Sequence, residues 1–275
     1  MSGRSQHEIW AANPKPASIS VGEPLQMGSA ELTGRRGDGS LQSEVHLWPV
    51  SLQRSAPEVE RLRSLLSSDE RNRADRYHSR DDALRYAVGR GWLRRLLGWY
   101  TGISPREIVF SYGRRGKPEL SNPGGVPDIR FNLSHTREWI MYAFTLGRDV
   151  GVDIESDAFA EESVDNYLRF LAPAEREQIQ SLAQGQRARQ FLTYWVRKEA
   201  CLKAIGCGFA ISPEEVDVSS IPTVSLCLPL EGTEKRISVH VVDLSSTGGT
   251  RGAFALVGGE MPIRMRQFSP HQDQR

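Results

Sequence analysis

Cysteine is scarce in this 275-residue chain, and long apolar runs are absent. The three cysteines, Cys201, Cys207 and Cys227, form no CxxC pair, which argues against a disulfide framework or a zinc site and fits a reducing cytoplasm. No uninterrupted apolar stretch approaches the roughly 20 residues of a membrane helix, and the first residues lack the apolar core of a signal peptide. A cytoplasmic protein with no membrane partner is expected. An excess of one charge is lacking as well: 35 Lys and Arg stand against 34 Asp and Glu, a net charge of +1. Charge therefore has to be read locally. The GxxxxGK phosphate loop, the GxGxxG turn after a strand, the GxSxG elbow and the HExxH pair are all missing, which sets aside the nucleotide, dinucleotide, hydrolase and metalloprotease designs built on them.

What remains is enough chain, at 39% hydrophobic residues, for one large domain or two small ones. Residues 1–43 are rich in Gly, Ser, Pro and Gln without a sustained period and read as a disordered or loosely attached extension. Residues 259–275 read as a polar C-terminal tail. Between them the periodicity predicts a strand near 44–50, helices near 57–66 and from 68 onward, an amphipathic helix over 82–100 with a stripe of Leu84, Ala87, Val88, Trp92, Leu96 and Trp99, and strands near 107–112, 129–133 and 139–146. A second run follows, with a strand at 150–155, helices near 162–171, 174–184 and 187–205, and strands near 215–219, 223–230, 235–243 and 251–258. The fold class is α+β, with a first half at 44–149 and a second at 150–258. The two halves are alike in plan, although residue identity between them is too weak to define a repeat.

The chemistry concentrates in residues 191–206. On a helix, Trp195, Glu199 and Leu202 share a face, and Lys203 lies one turn below Glu199, so an acid and a base sit beside an aromatic ring. Upstream, Val150, Val152 and Ile154 alternate with Asp153 and Glu155 on a short strand, which sends both carboxylates to one side and apolar groups to the other. Carboxylates there call for a counter-charge. Oxygen ligands without nearby Cys or His favour a hard ion such as Mg²⁺. The plainer alternatives are an ordinary Glu199/Lys203 surface pair, an edge strand with acids in water, and Trp195 in the core. Ser134 and His135 end another strand and can both donate to phosphate. Arg114, Arg115 and Lys117 crowd the loop before it, and Arg71, Arg73, Arg76, Arg80, Arg85 and Arg90 form a second basic set. Asp69, Glu70, Asp75, Asp81 and Asp82 interrupt that set, and regular stacking aromatics are missing, which argues against nucleic acid.

Four segments then come into line. Arg115-Gly-Lys-Pro118, Phe131-Asn-Leu-Ser-His135, Gly151-Val-Asp-Ile-Glu155 and Trp195-Val-Arg-Lys-Glu-Ala-Cys-Leu-Lys203 resemble, in order and spacing, the 4′-phosphopantetheinyl transferases of the long, monomeric, surfactin-synthetase-activating type. The resemblance spans roughly residues 44–258, and Ser68-Asp-Glu-Arg71 with Arg85-Tyr-Ala-Val-Gly-Arg90 resembles the family's first-half motif. It implies a pseudo-twofold pair of α+β halves with coenzyme A in the cleft between them. It also implies transfer of the phosphopantetheine arm to a serine of an apo acyl or peptidyl carrier protein, with release of adenosine 3′,5′-bisphosphate. Carried onto this chain, Asp153, Glu155 and Glu199 would hold Mg²⁺, and His135 and Lys203 would contact the pyrophosphate. Lys117, Ser134, Arg71 and Arg85 would serve the adenosine and 3′-phosphate end, and Glu199 would be the base. The alternatives are a non-catalytic coenzyme A or carrier binder on the same scaffold and, less in keeping with the acids, a nucleic-acid binder using the arginine helix.

Overall fold

The computed structural model describes residues 40–113, 116–121, 127–158, 167–206, 211–221, 223–230, 233–244 and 249–265. The first half opens with strand β1 (Val45–Ser51) and continues through helices α1 (Ala56–Arg63), α2 (Ser68–Asp75) and α3 (Arg80–Thr101). It closes with the β2–β3 hairpin (Phe110–Tyr112, Pro118–Leu120) and strands β4 (Ile129–His135) and β5 (Trp139–Leu146). Ser67 and Glu70 start α2 by reciprocal capping, Ser67 Oγ accepting from the Glu70 amide and Glu70 Oε2 from the Ser67 amide. Gly102, at φ 74°, ends α3 in the left-handed conformation that glycine adopts without strain.

The second half runs β6 (Val150–Ser156), α4 (Pro173–Ser181), α5 (Gln184–Ile205), then β7 (Thr223–Leu230), β8 (Thr233–Leu244) and β9 (Thr250–Val257). In each half the opening strand pairs antiparallel with the closing strand, which pairs antiparallel with the strand before it: β1 with β5 with β4, and β6 with β9 with β8. A 22-residue helix packs on each sheet, α3 in the first half and α5 in the second. The likeness in plan is thus a duplicated topology, carried by strand pairing rather than by residue identity.

Three apolar clusters hold this together. Trp48, Val50, Ile140, Tyr142 and Phe144 face Val88, Trp92 and Leu96 of α3. Ala253 and Ala255 face Val196, Ala200 and Ala204 of α5. Between the sheets, Val45, Leu47, Met141 and Ala143 from the first meet Val150, Val152, Ile154, Phe254 and Leu256 from the second. The order of layers is therefore helix, sheet, sheet, helix, and β6 buries both of its faces. Leu84 of the expected stripe is an exception, 37% exposed on the outer side of α3.

The predicted boundaries at 43 and 258 fall inside ordered structure. Leu41 is buried in the first core, and a strand β10 (Ile263–Met265) joins the first sheet parallel to β1. The first half of the expected helix near 162–171 lies outside the described residues, and its described end is a short 3₁₀ turn, Leu168–Phe170. The expected strand at 215–219 does not form. Val216 and Val218 are buried as the alternation implied, but the backbone there is satisfied by side chains instead of a ladder: Lys198 Nζ donates to the Pro213 and Val216 carbonyls, Arg197 to the Val218 carbonyl, and the Val218 amide to Glu175. Lys198 and Glu175 are both fully buried and 2.7 Å apart. Burial pulls the Lys198 ammonium below the usual lysine range, with Glu175 opposing that pull.

Gly151 lies where α5 crosses β6. A Cβ there would stand 2.1 Å from the Ala200 carbonyl oxygen and 2.3 Å from the Ala204 amide nitrogen, so α5 could not keep its place. Gly151→Ala is expected to cost at least about 1–3 kcal/mol by overpacking, and an unchanged urea midpoint would refute this reading of the contact. Lys198→Met strands a buried carboxylate and should cost about 3–5 kcal/mol, with part of the loss recovered in the Glu175→Gln/Lys198→Met double variant in the same urea titration.

Candidate active site

The two sheets meet edge to edge at β4 and β6, and Asn132 crosses the seam: its side-chain oxygen accepts from the Val152 amide at 2.9 Å. On β6, Val150, Val152 and Ile154 point into the inter-sheet core, so Gly151, Asp153 and Glu155 point toward α5. On α5, Ala200 and Ala204 rest over Gly151, and the neighbouring positions Glu199 and Lys203 come to the rim of a cleft. Lys203 Nζ donates to Asp153 Oδ1 at 2.6 Å and to Ser134 Oγ at 3.2 Å, and Ser134 Oγ donates to the same Asp153 oxygen at 2.7 Å. Asp153 and Ser134 are buried, whereas Lys203 keeps 30% of its side chain in solvent.

The cleft holds about 640 Å³. From the second half Glu199, Leu202, Lys203 and Ile211 line it, and from the first half Lys117, His135, Asn132 and the α3 stripe Asp82, Arg85, Tyr86, Gly89, Arg90 and Leu93. That volume is in the usual range for a site taking one small organic ligand. Charge in it is uneven. Glu199 is held above the ordinary carboxyl range, first by burial and then by Asp153, with Lys203 opposing. Glu155 is raised for the same two reasons, against the Ser156 amide and Lys203. His135, at the exposed mouth, is lowered by partial loss of water and by Arg85 and Lys203, which favours the neutral imidazole.

Arg85, Lys117, His135, Glu199 and Lys203 thus line one cleft, and Ser134 and Asp153 stand behind Lys203. Glu155 follows Asp153 two residues along the same face of β6. Arg71 does not join them: it is exposed on α2, and its guanidinium donates to the Leu66 carbonyl in the turn before that helix. Arg114 and Arg115 lie outside the described residues. Trp195 packs with Phe191 and Tyr167 beside the second core. Among the described residues no three His, Cys, Asp or Glu side chains stand close enough together to hold an ion by themselves. Lys203 takes the position on Asp153 that a cation would otherwise hold.

Residues 82, 85, 86, 89, 90 and 93 carry no common sequence signal, because they mix charge, aromatic, glycine and leucine. Their spacing of three and four does mark one face of α3, bordering the core that Leu93 joins. Arg90 stacks over Phe110 at 4.7 Å and lies 3.5 Å from Glu70, and Arg73 stacks over Tyr86 at 5.3 Å. Lys198, adjacent to Glu199 in the same motif, proves to be the buried structural cation described above. Cys201, one turn from it, is a buried free thiol pushed up to about 12 by loss of water, and so inert.

Residues 149–256 match the 4′-phosphopantetheinyl transferase superfamily, and residues 52–146 match the family described as 4′-phosphopantetheinyl transferase, N-terminal. The chain is 37% identical to the 4′-phosphopantetheinyl transferase HetI of Nostoc sp. over 183 residues, covering 66% of this chain and 77% of that protein. It is 29% identical to a 4′-phosphopantetheinyl transferase of Bacillus subtilis, covering 60% and 70% respectively. It is 27% identical to 4′-phosphopantetheinyl transferase Sfp of Bacillus subtilis strain 168, covering 69% of this chain and 83% of that protein. Nothing among these supports a non-catalytic binder. With both halves matched and the cleft lying between them, the chain belongs to the 4′-phosphopantetheinyl transferases, in their long, Sfp-type form.

Proposed function

We propose that the cleft takes coenzyme A and that its phosphopantetheine arm passes to a serine hydroxyl of an apo acyl or peptidyl carrier domain, releasing adenosine 3′,5′-bisphosphate. The observation that carries this reading is the Lys203 ammonium, shared between Asp153 and Ser134 on the rim of a cleft that Arg85, Arg90 and His135 also line. In the reaction the serine oxygen attacks the phosphorus bearing the pantetheine arm, the bond from that phosphorus to the bisphosphate oxygen breaks, and the serine proton must find a base. Glu199 is suited to accept it, because burial and Asp153 raise its affinity for a proton. Lys203, with His135 beside it, faces the charge that grows on the departing oxygen and therefore stabilises the transition state more than the bound substrate.

Asp153, Glu155 and Glu199 are the groups that would hold Mg²⁺. Their chemistry fits: all are carboxylates, burial and Asp153 raise both Glu155 and Glu199 against the pull of Lys203, and Mg²⁺ commonly takes one or two protein carboxylates and completes its shell with phosphate oxygens and water. When bound, the ion neutralises pyrophosphate charge and polarises the attacked phosphorus. Arg85 is assigned to the adenosine and 3′-phosphate end, and Arg71 is assigned no contact. A cytoplasmic, monomeric enzyme of two halves, 44–149 and 150–258, is part of this reading. Among the described residues no helix is long and apolar enough to cross a membrane. A nucleic-acid role is not favoured, because in the arginine set Arg71 folds back on the Leu66 carbonyl and Arg73 lies over the Tyr86 ring.

Incubation with coenzyme A, Mg²⁺ and an apo carrier domain should add the mass of the phosphopantetheine arm to the carrier. Lys203→Ala should lower kcat by roughly 10²–10³, about 3–4 kcal/mol of barrier, as for loss of one charge-stabilising donor; loading at the wild-type rate would defeat the assignment. In chelator, Glu199→Gln should melt above the wild type at neutral pH. The raised carboxyl penalises the folded state once ionised, so the gap should be absent below the ordinary value of 4.5, where both folded and unfolded chains are protonated, grow as the pH rises past it, and be complete above the raised folded-state value.

A further inference from the structure

Lys117 sits in the hairpin of the first half, yet every bond of its ammonium goes to the second half. Its Nζ donates to the Lys203 carbonyl at 2.9 Å, to the Val150 carbonyl at 3.3 Å and to the Ala204 carbonyl at 3.4 Å. An ammonium has three protons, so these three acceptors use all of them. Two of the carbonyls belong to the last turn of α5, where helix carbonyls lack intrahelical partners and the helix dipole favours a cation. The third belongs to β6, the strand under that turn. The site is built for the purpose. Gly116, at φ 80°, and the Gly113–Lys117 backbone bond at 3.0 Å shape the turn, and Pro118 holds Lys117 extended as it enters β3. Gly206, at φ 62°, ends α5 so that the Lys117 stem passes above it, 3.7 Å from where a Cβ would be. Asp149 and Glu119 are the carboxylates that act on this ammonium, Arg130 is the nearest opposing cation, and loss of water outweighs them all. No carboxylate among the described residues is bonded to it.

We propose that Lys117 is a positioning residue rather than a phosphate ligand: by clasping the last turn of α5 to β6 from the other half, it keeps the Lys203 side chain aimed at Asp153 and the reacting phosphate. Lys203 is then held twice, through its own carbonyl by Lys117 and through its ammonium by Asp153 and Ser134. The clasp also fixes the separation of the two halves at the cleft, which sequence resemblance alone would have assigned to the 3′-phosphate.

The proposal rests on the transferase reading, and one experiment separates the two. Loading of an apo carrier is measured for wild type and Lys117→Met with coenzyme A and with dephospho-coenzyme A, which lacks the 3′-phosphate. A positioning role predicts the same fold loss of kcat/KM, within about twofold, on both donors, falling mainly in kcat, and a much smaller loss when Lys117→Met is introduced into Lys203→Met. A loss seen with coenzyme A and absent with dephospho-coenzyme A would make Lys117 a phosphate ligand and overturn the proposal, as would an unchanged enzyme or full additivity with Lys203→Met. Lys117→Gln, which keeps a donor, replaces the Met variant in the same comparison if the latter does not fold. Without any substrate, amide exchange at 202–206 should quicken in the variant; unchanged exchange refutes the clasp even if no carrier is ever loaded, whereas a wild type that loads nothing refutes only the transferase reading.

Discussion

The absence of a side chain at Gly151 is the constraint on which the site depends. Only hydrogen there lets α5 lie against β6 with backbone nearly touching backbone, and only at that distance does a lysine on the helix reach a carboxylate on the strand. The same contact decides what surrounds Asp153. With the helix close, Asp153 is dry enough to need a partner, and both Lys203 and Ser134 supply one. A carboxylate in water would hold neither so firmly.

Two lysines five residues apart on α5 show how environment assigns a role. Lys198 is wholly buried, its charge matched by Glu175 and its remaining protons taken by the Pro213 and Val216 carbonyls, so it holds an otherwise unpaired segment on the second core. Lys203 has one partner with net charge and a third of its side chain in the cleft, so it can turn to an incoming anion. Lys117 is a third case, a cation whose three hydrogen bonds go to backbone carbonyls while Asp149 and Glu119 act on it without bonding. The first carries stability, the second chemistry, and the third joins the halves.

The duplicated strand order gives the cleft its place. When β1–β5–β4 and β6–β9–β8 pack inner face to inner face, the edges β4 and β6 come together, and each long helix covers its own sheet from outside. The seam between the edges has no regular ladder, and side chains replace it: Asn132 for the Val152 amide and Lys117 for the Val150 carbonyl. Such a junction leaves both helices free to present a polar face to the same space. Strand β10, which returns from the second half to lie along β1, ties the halves together a second time.

Much of this was legible in the chain itself. Alternation at Val150–Glu155 determined which groups of β6 face the core, and the spacing of Glu199 and Lys203 placed them on one helical face, because strand and helix periods are local properties of the backbone. What local rules could not decide were the partners. The alternation of Val216 and Val218 marked burial correctly, but whether a ladder or the Lys198 and Glu175 side chains would satisfy that backbone depended on segments far away in sequence. Arg71 and Lys117 carry the same kind of charge and the same role in the resemblance, yet one folds back on its own turn and the other crosses to a helix 86 residues distant. Residue type and local period set where charge lies and which face of its element each charged group occupies. Which charges meet follows from how closely two backbones approach, and here a single glycine sets that distance.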